Sequence, residues 1–177
     1  GLGVGGYCLT KDPNFMNISS HLFFKDKFNF PIINISMKIN KNMIYSSIQF
    51  IKKKIKTFKK KKILLLGASY KEDVSDIRSS PSILLSNYLK KQQVNLYFHD
   101  PLTNKEDNIQ LGVSNKLPKF GLFDAVLFCV KHERYKRINF KKLSKKPIYF
   151  DLNCVLNNHQ IHHMIKNNYK LEILGGQ

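Results

Sequence analysis

The run Ile63-Leu64-Leu65-Leu66-Gly67 constrains the fold more than any other part of this sequence. It offers no polar face, so as a strand it must be covered on both sides, which is the situation of a parallel sheet with helices packed above and below. The sequence downstream supplies the rest of such a sheet. Val94-Asn95-Leu96-Tyr97-Phe98 reads as a second strand, closed by Asp100-Pro101. Asp124 to Val130 reads as a third, Ile148 to Leu152 as a fourth and Leu171 to Leu174 as a fifth. Between them, Ser79-Ser80-Pro81 opens a helix with Ile83, Leu84, Tyr88 and Leu89 on one face, and residues 158–168 form another around Ile161, Met164 and Ile165. Strands alternating with helices predict right-handed crossovers and a Rossmann-like α/β domain over residues 58–177.

Residues 1–57 follow a different pattern. The first 31 are rich in Gly, Asn, Asp and Phe and read as loop, closed by Pro31. From Asn34 onward, Ile35, Ile39, Met43, Ile44, Ile48, Ile51 and Ile55 recur at three- and four-residue steps and predict one long amphipathic helix, with Asn34 or Ser36 as its cap. The basic run Lys52 to Lys62 covers the helix end, where lysines complement the helix dipole.

Composition narrows the function classes. The formal charge is +18, which invites a nucleic-acid partner, but only three of the 30 basic residues are arginine, the side chain that base-edge recognition favours. No specific nucleic-acid partner is expected. No apolar run is long enough to span a bilayer, and no membrane partner is expected either. Three cysteines, Cys8, Cys129 and Cys154, share no metal-type spacing and are an odd number, so thiols in a reducing cytoplasm are the expectation.

Gly1, Gly3 and Gly6 satisfy G-x-G-x-x-G, yet no strand precedes them and no amphipathic helix begins at Tyr7, as a dinucleotide loop requires. Gly67-Ala68-Ser69-Tyr70 does follow a strand but lacks the other glycines. The segment Gly5-Gly6-Tyr7-Cys8-Leu9-Thr10-Lys11-Asp12-Pro13 is better read as a nucleophile loop: glycines permit close approach to a ligand, a lysine near a thiol favours thiolate, and Asp12 can orient or deprotonate a water. His159, His162 and His163 have helical spacing but no carboxylate or cysteine joins them, so no metal site is expected.

This glycine–cysteine–lysine–aspartate loop resembles the catalytic loop of the UDP-glucose/GDP-mannose dehydrogenase family. The long helix after it carries Asn40 where the family has Asn. Leu66-Gly67-Ala68-Ser69-Tyr70-Lys71-Glu72-Asp73-Val74-Ser75-Asp76-Ile77-Arg78-Ser79-Ser80-Pro81 is similar to the family's second signature, and Asp100-Pro101, His132 and Asp151 are further matches. The resemblance covers the chain in order and implies an NAD-dependent 6-dehydrogenase of UDP-sugars working in polysaccharide precursor biosynthesis. It implies Cys8 as the nucleophile that passes through thiohemiacetal and thioester, with Asp12 handling protons and water. Gly1, Gly3, Gly5, Tyr70 and Lys71 are implied on the substrate side, and Lys11 and Arg78 on the cofactor side. Residues 1–57 then correspond to the end of a central helical domain that makes a homodimer, and residues 58–177 to the UDP-binding domain.

The form Val-Gly-Gly-Tyr-Cys is more similar to UDP-N-acetylhexosamine dehydrogenases than to UDP-glucose enzymes. Asn153 stands where many relatives carry a substrate-binding arginine. Gly1 reads as the middle of a loop, and the family's cofactor-binding half would lie ahead of it, so the chain alone is expected not to turn over substrate. The competing readings are a non-catalytic nucleotide-binding remnant and a basic nucleic-acid-binding protein.

Overall fold

The computed structural model describes residues 1–176. Three helices come first: α1 (Tyr7–Thr10), α2 (Asn14–Phe24) and α3 (Pro31–Lys52). Strands and helices then alternate: β1 (Lys62–Leu66), α4 (Pro81–Lys91), β2 (Asn95–His99), α5 (Lys105–Leu111), β3 (Val113–Ser114), β4 (Ala125–Phe128), α6 (Glu133–Lys136), β5 (Ile148–Asp151), α7 (Asn158–Lys166) and β6 (Lys170–Ile173). The six strands form one sheet in the order β3-β2-β1-β4-β5-β6, and every pairing is parallel. This is the expected Rossmann-like α/β fold, with one strand beyond the five expected. That strand, β3, has two residues and is too short to show in an apolar pattern.

The two sides of β1 explain why it has no polar face. Ile63 and Leu65 join Leu127 and Phe150 beneath α3 and α4, whose Ile44, Ile48, Ile51, Leu85 and Leu89 complete that core. Leu64 and Leu66 face the other way, against Val126, Phe128, Tyr149 and Met164 of α7. Both layers are fully buried at β1. Truncating Leu65 to Ala would leave a cavity and cost about 2–5 kcal/mol.

The first 31 residues are not loop, as the sequence suggests, because α1 and α2 occupy much of them. Nor does α3 start at Asn34 or Ser36. Pro31 takes its first position, where a missing N–H is harmless, and Asn34 lies inside the helix accepting a 2.7 Å hydrogen bond from Asn17 Nδ2 of α2. The apolar stripe of α3 is divided. Ile44, Ile48 and Ile51 are buried on the sheet, whereas Ile35 and Ile39 are 57% and 58% exposed.

The strand order fixes where a site can form. The chain lays down β1, β2 and β3 in one direction, returns to place β4 beside β1, and continues outward through β5 and β6. Loops leaving the carboxyl ends of β1 and β4 therefore diverge and leave a crevice between them.

Candidate functional site

The loop from Gly67 to Pro81 leaves β1 and lines one wall of that crevice. It is braced from beneath by Asp100, at the end of β2. Asp100 Oδ2 accepts from the backbone N–H of Ala68 (2.7 Å) and Ser69 (3.1 Å) and from His132 Nε2 (3.1 Å), and Oδ1 accepts from Leu102 (2.8 Å). His132 Nδ1 accepts in turn from the backbone N–H of Asp73 at 3.0 Å, which orients the ring. Burial pushes the Asp100 carboxyl up, but the His132 hydrogen bond and the backbone donors outweigh it and hold it below its usual range. Asp151 does the same work after β5, accepting from the N–H groups of Val155 (2.9 Å) and Leu156 (3.0 Å). These acids and His132 shape loops; they do not face the crevice.

Further along, Asp76 and Arg78 clasp each other: Arg78 Nε lies 2.9 Å from both Asp76 oxygens. The Arg78 guanidinium holds the Asp76 carboxyl below its ordinary range. The same guanidinium lies over the Tyr7 ring, 5.0 Å from its centroid. It thus joins this loop to the cysteine loop.

The cysteine loop is threaded between α3 and this wall. Leu2 is buried in the core beneath it. Asn40 of α3 grips Val4 from both sides, accepting from its N–H at 2.7 Å and donating to its carbonyl at 2.8 Å. The Gly6 N–H then donates to the Arg78 carbonyl at 3.1 Å. Glycine is required at two points. A Cβ on Gly5 would sit 2.7 Å from the Ser79 carbonyl and 2.7 Å from Tyr70 Cβ, and one on Gly6 would sit 2.8 Å from the Tyr70 ring at φ +79°. Two segments some 65 residues apart in sequence therefore meet without room for a methyl group.

The crevice consists of two hollows that share Gly3 and Asn153. One, of about 280 Å³, is lined by Ser69, Tyr70, Lys71, Ser82 and Cys129; the other, of about 450 Å³, lies between Gly1, Val4 and the α3 residues Ser36, Ile39 and Met43. Pro81 and Ser82 bring the amino-terminal end of α4 to the edge of the first hollow. Helix start and Lys71 together suit an anion such as a diphosphate.

Gly1, Gly3, Tyr70 and Lys71, which the resemblance implies on the substrate side, all border this crevice. Gly5 lies beneath, as packing rather than lining. Cys8 and Asp12 are exposed on α1 and the turn after it, outside the two hollows. Lys11 lies over the Tyr7 and Phe15 rings and borders a further, mostly apolar hollow of about 710 Å³ between α1, α3 and α4. The crevice is the better nucleotide site, because Lys71, on the loop leaving β1, and the first turn of α4 meet at one of its hollows. Ser69 and Ser82 had no sequence signal as crevice residues; Asn153 was marked, as standing in place of a substrate-binding arginine, and its amide donates to the Cys129 carbonyl at 3.2 Å. Cys129 is buried and its thiol is pushed up by that burial.

No loop among the described residues offers a dinucleotide pyrophosphate its usual cradle. After β1, a Cβ on Gly67 would meet Val130 at 2.4 Å, and α4 begins only at Pro81. The nicotinamide cofactor that the resemblance implies does not fit this chain's residues as a complete site. His159 and His162 are exposed on α7, and no group of three metal-ligating side chains exists among the described residues.

Comparison with known proteins gives this arrangement a place. Residues 64–158, more than half of the chain, match the model of the UDP-glucose/GDP-mannose dehydrogenase family, UDP binding domain. The chain belongs to the UDP-glucose/GDP-mannose dehydrogenase family. It is 36% identical over 83 residues to a UDP-N-acetyl-D-mannosamine dehydrogenase of Campylobacter jejuni, covering 47% of this chain and 19% of that protein. It is 25% identical over 163 residues to a UDP-N-acetyl-D-glucosamine 6-dehydrogenase of Pseudomonas aeruginosa, covering 86% and 38%. The solved NDP-N-acetyl-D-galactosaminuronic acid dehydrogenase of Methanosarcina mazei has the same fold, with a TM-score of 0.81 at 23% identity over 100% of this chain and 39% of that one. The chain thus spans well under half the length of these family members.

Proposed function

We propose that this chain is the UDP-sugar-binding and thiol-bearing part of a nucleotide-sugar 6-dehydrogenase, with residues 58–177 holding the nucleotide and residues 1–57 ending a central helical domain. The observation that carries this reading is the contact between the two motifs: Gly5, Gly6 and Tyr7 pack on Tyr70, Arg78 and Ser79, so the cysteine loop is fixed beside the crevice. Lys71 and the start of α4 take the diphosphate, and Tyr70 and Gly3 border the rest of the ligand.

Cys8 is the nucleophile in this scheme. Its sulfur adds to the C6 aldehyde carbon, the carbonyl pair moves to oxygen, and that oxygen takes a proton. After oxidation to the thioester, water adds at the same carbon, the carbon–sulfur bond breaks, and Asp12 accepts the proton that water loses. The oxidation steps lie outside what these residues supply. NAD is the acceptor that the resemblance implies, and Lys11 and Arg78 are the side chains of this chain nearest in role to it. By itself the chain is expected to bind nucleotide without oxidising it. The sugar is proposed to be an N-acetylhexosamine, in line with the relatives named above.

The exposed apolar half of α3, with Leu22 and Phe23 of α2 at 65% and 75% exposure, is proposed as the face that a second copy covers. The test of the main reading is calorimetric titration of the chain with UDP. UDP should bind, and Lys71→Ala and Tyr70→Ala should each weaken it by about tenfold or more, about 1.4 kcal/mol. UDP affinity untouched by both substitutions would remove the crevice from consideration.

A further inference from the structure

The edge of the sheet opposite the crevice carries a charge pattern that the nucleotide reading does not use. In a parallel sheet all strands begin at one edge, and here those beginnings are lysine-rich. Lys62 and Lys170 start β1 and β6, Lys91 ends α4 ahead of β2, and Lys145 and Lys146 precede β5. Two shallow hollows on this edge share Lys56 and Thr57 and so form one continuous surface, bordered also by Lys54, Lys59, Lys61 and Lys146.

A lysine-rich composition alone would distribute cations evenly relative to acids. The acids are not distributed evenly. Glu72, Asp73, Asp76, Asp100 and Asp151 all end or follow strands, at the carboxyl edge. At the amino edge Asp124 has one oxygen engaged by the Lys62 backbone N–H at 2.8 Å, and Glu172 is engaged by Lys54 at 2.7 Å. The remaining lysines on the shared surface have no carboxylate partner among the described residues.

We propose that this lysine edge docks the protein on an anionic lipid bilayer, leaving the crevice at the opposite edge open to solution. The chemistry favours a bilayer over nucleic acid. The surface is drawn from the start of several strands and is broad rather than a track, its cations are lysine point charges without arginine forks, and its aromatics are turned inward, with Lys52 lying over Tyr88 and Lys145 over Tyr169. The basic run Lys52 to Lys62 supplies much of this patch, and the folded sheet adds Lys91, Lys145, Lys146 and Lys170 from far along the chain. Docking of this kind needs no spanning segment, and no helix among the described residues is long and apolar enough to cross a membrane.

The experiment is co-sedimentation of the 177-residue chain with vesicles of phosphatidylglycerol and phosphatidylcholine at 100 mM salt. The chain should bind mixed vesicles and not pure phosphatidylcholine. The triple variant Lys56→Glu, Lys146→Glu, Lys170→Glu should lose about 100-fold or more in affinity, since each surface lysine is worth roughly a factor of five. A control with the same charge change elsewhere, Lys41→Glu, Lys105→Glu, Lys116→Glu, should lose less than about fivefold. All replaced side chains are exposed, and circular dichroism checks that both variants fold. Equal losses in the two variants, no binding to the mixed vesicles, or tighter binding to an arbitrary DNA duplex at the same salt would each overturn the proposal.

Discussion

At the scale of single residues, the three thiols separate cleanly. Cys8 and Cys154 are exposed and Cys129 is buried within the strand layer. A thiol reagent added to the native chain should therefore modify two cysteines promptly and the third only on unfolding, which mass spectrometry of the peptides would show. Cys129→Ser should cost about 1–3 kcal/mol in chemical denaturation, because a hydroxyl replaces a packed thiol; Cys8→Ser should change stability by less than about 0.5 kcal/mol. Gly5→Ala forces a methyl against the Ser79 backbone and Tyr70, so it should destabilise by about 1–3 kcal/mol and weaken UDP binding as the wall of the crevice shifts. An unchanged melting temperature in Gly5→Ala would contradict the packing described. The glycines were legible as a tight loop because their spacing is local, but Cys8, read as part of that loop, lies on the short helix α1. The work of Asn40 was not legible, since its partner lies 36 residues away, and a sequence shows an asparagine in a helix, not what it grips.

Among elements, those with a single apolar face or none to spare were legible and those without such a face were not. The five longer sheet strands and α4 follow directly from their patterns, whereas the two-residue β3 does not. α2 was hidden because Phe15, Met16, Ile18, Leu22, Phe23 and Phe24 are all exposed and only Ser20 is buried, so no stripe marks a helix, and no side chain caps its start. β2 carries a different surprise at its end. His99 is fully buried, its Nδ1 meets the Tyr135 hydroxyl at 2.9 Å, and its Nε2 has no partner. Burial pushes this imidazole down from 6.5 to about 4. Between those values the unfolded chain binds the proton and the folded one does not. Stability is therefore full above pH 6.5 and falls as pH drops toward 4, by on the order of 2–3 kcal/mol. His99→Phe should flatten that decline in urea titrations run from pH 7 to pH 4, leaving the separate loss from Asp100 below pH 3.8. The same slope in the variant would assign the effect to another group.

For the whole molecule, apolar surface is unevenly covered. The sheet is closed on both sides, while the stretch from α2 into the first half of α3 shows Leu22, Phe23, Ile32, Ile35 and Ile39 to solvent. If a second copy covers them, sedimentation velocity should show a dimer that Ile35→Glu with Ile39→Glu converts to monomer; a wild-type chain that stays monomeric at high concentration would rule this pairing out. The general shape was readable because alternating strands and helices leave few topologies, but the crevice was not, because it depends on which loops the strand order brings together. The threading of the first residues has a practical corollary. Gly1 borders the crevice, where a Cβ on it would lie 2.5 Å from Asn153 Oδ1, and Leu2 is already anchored in the core. Anything joined ahead of Gly1 therefore starts at the rim of the crevice, so a flexible purification tag placed there would compete with the nucleotide for entry.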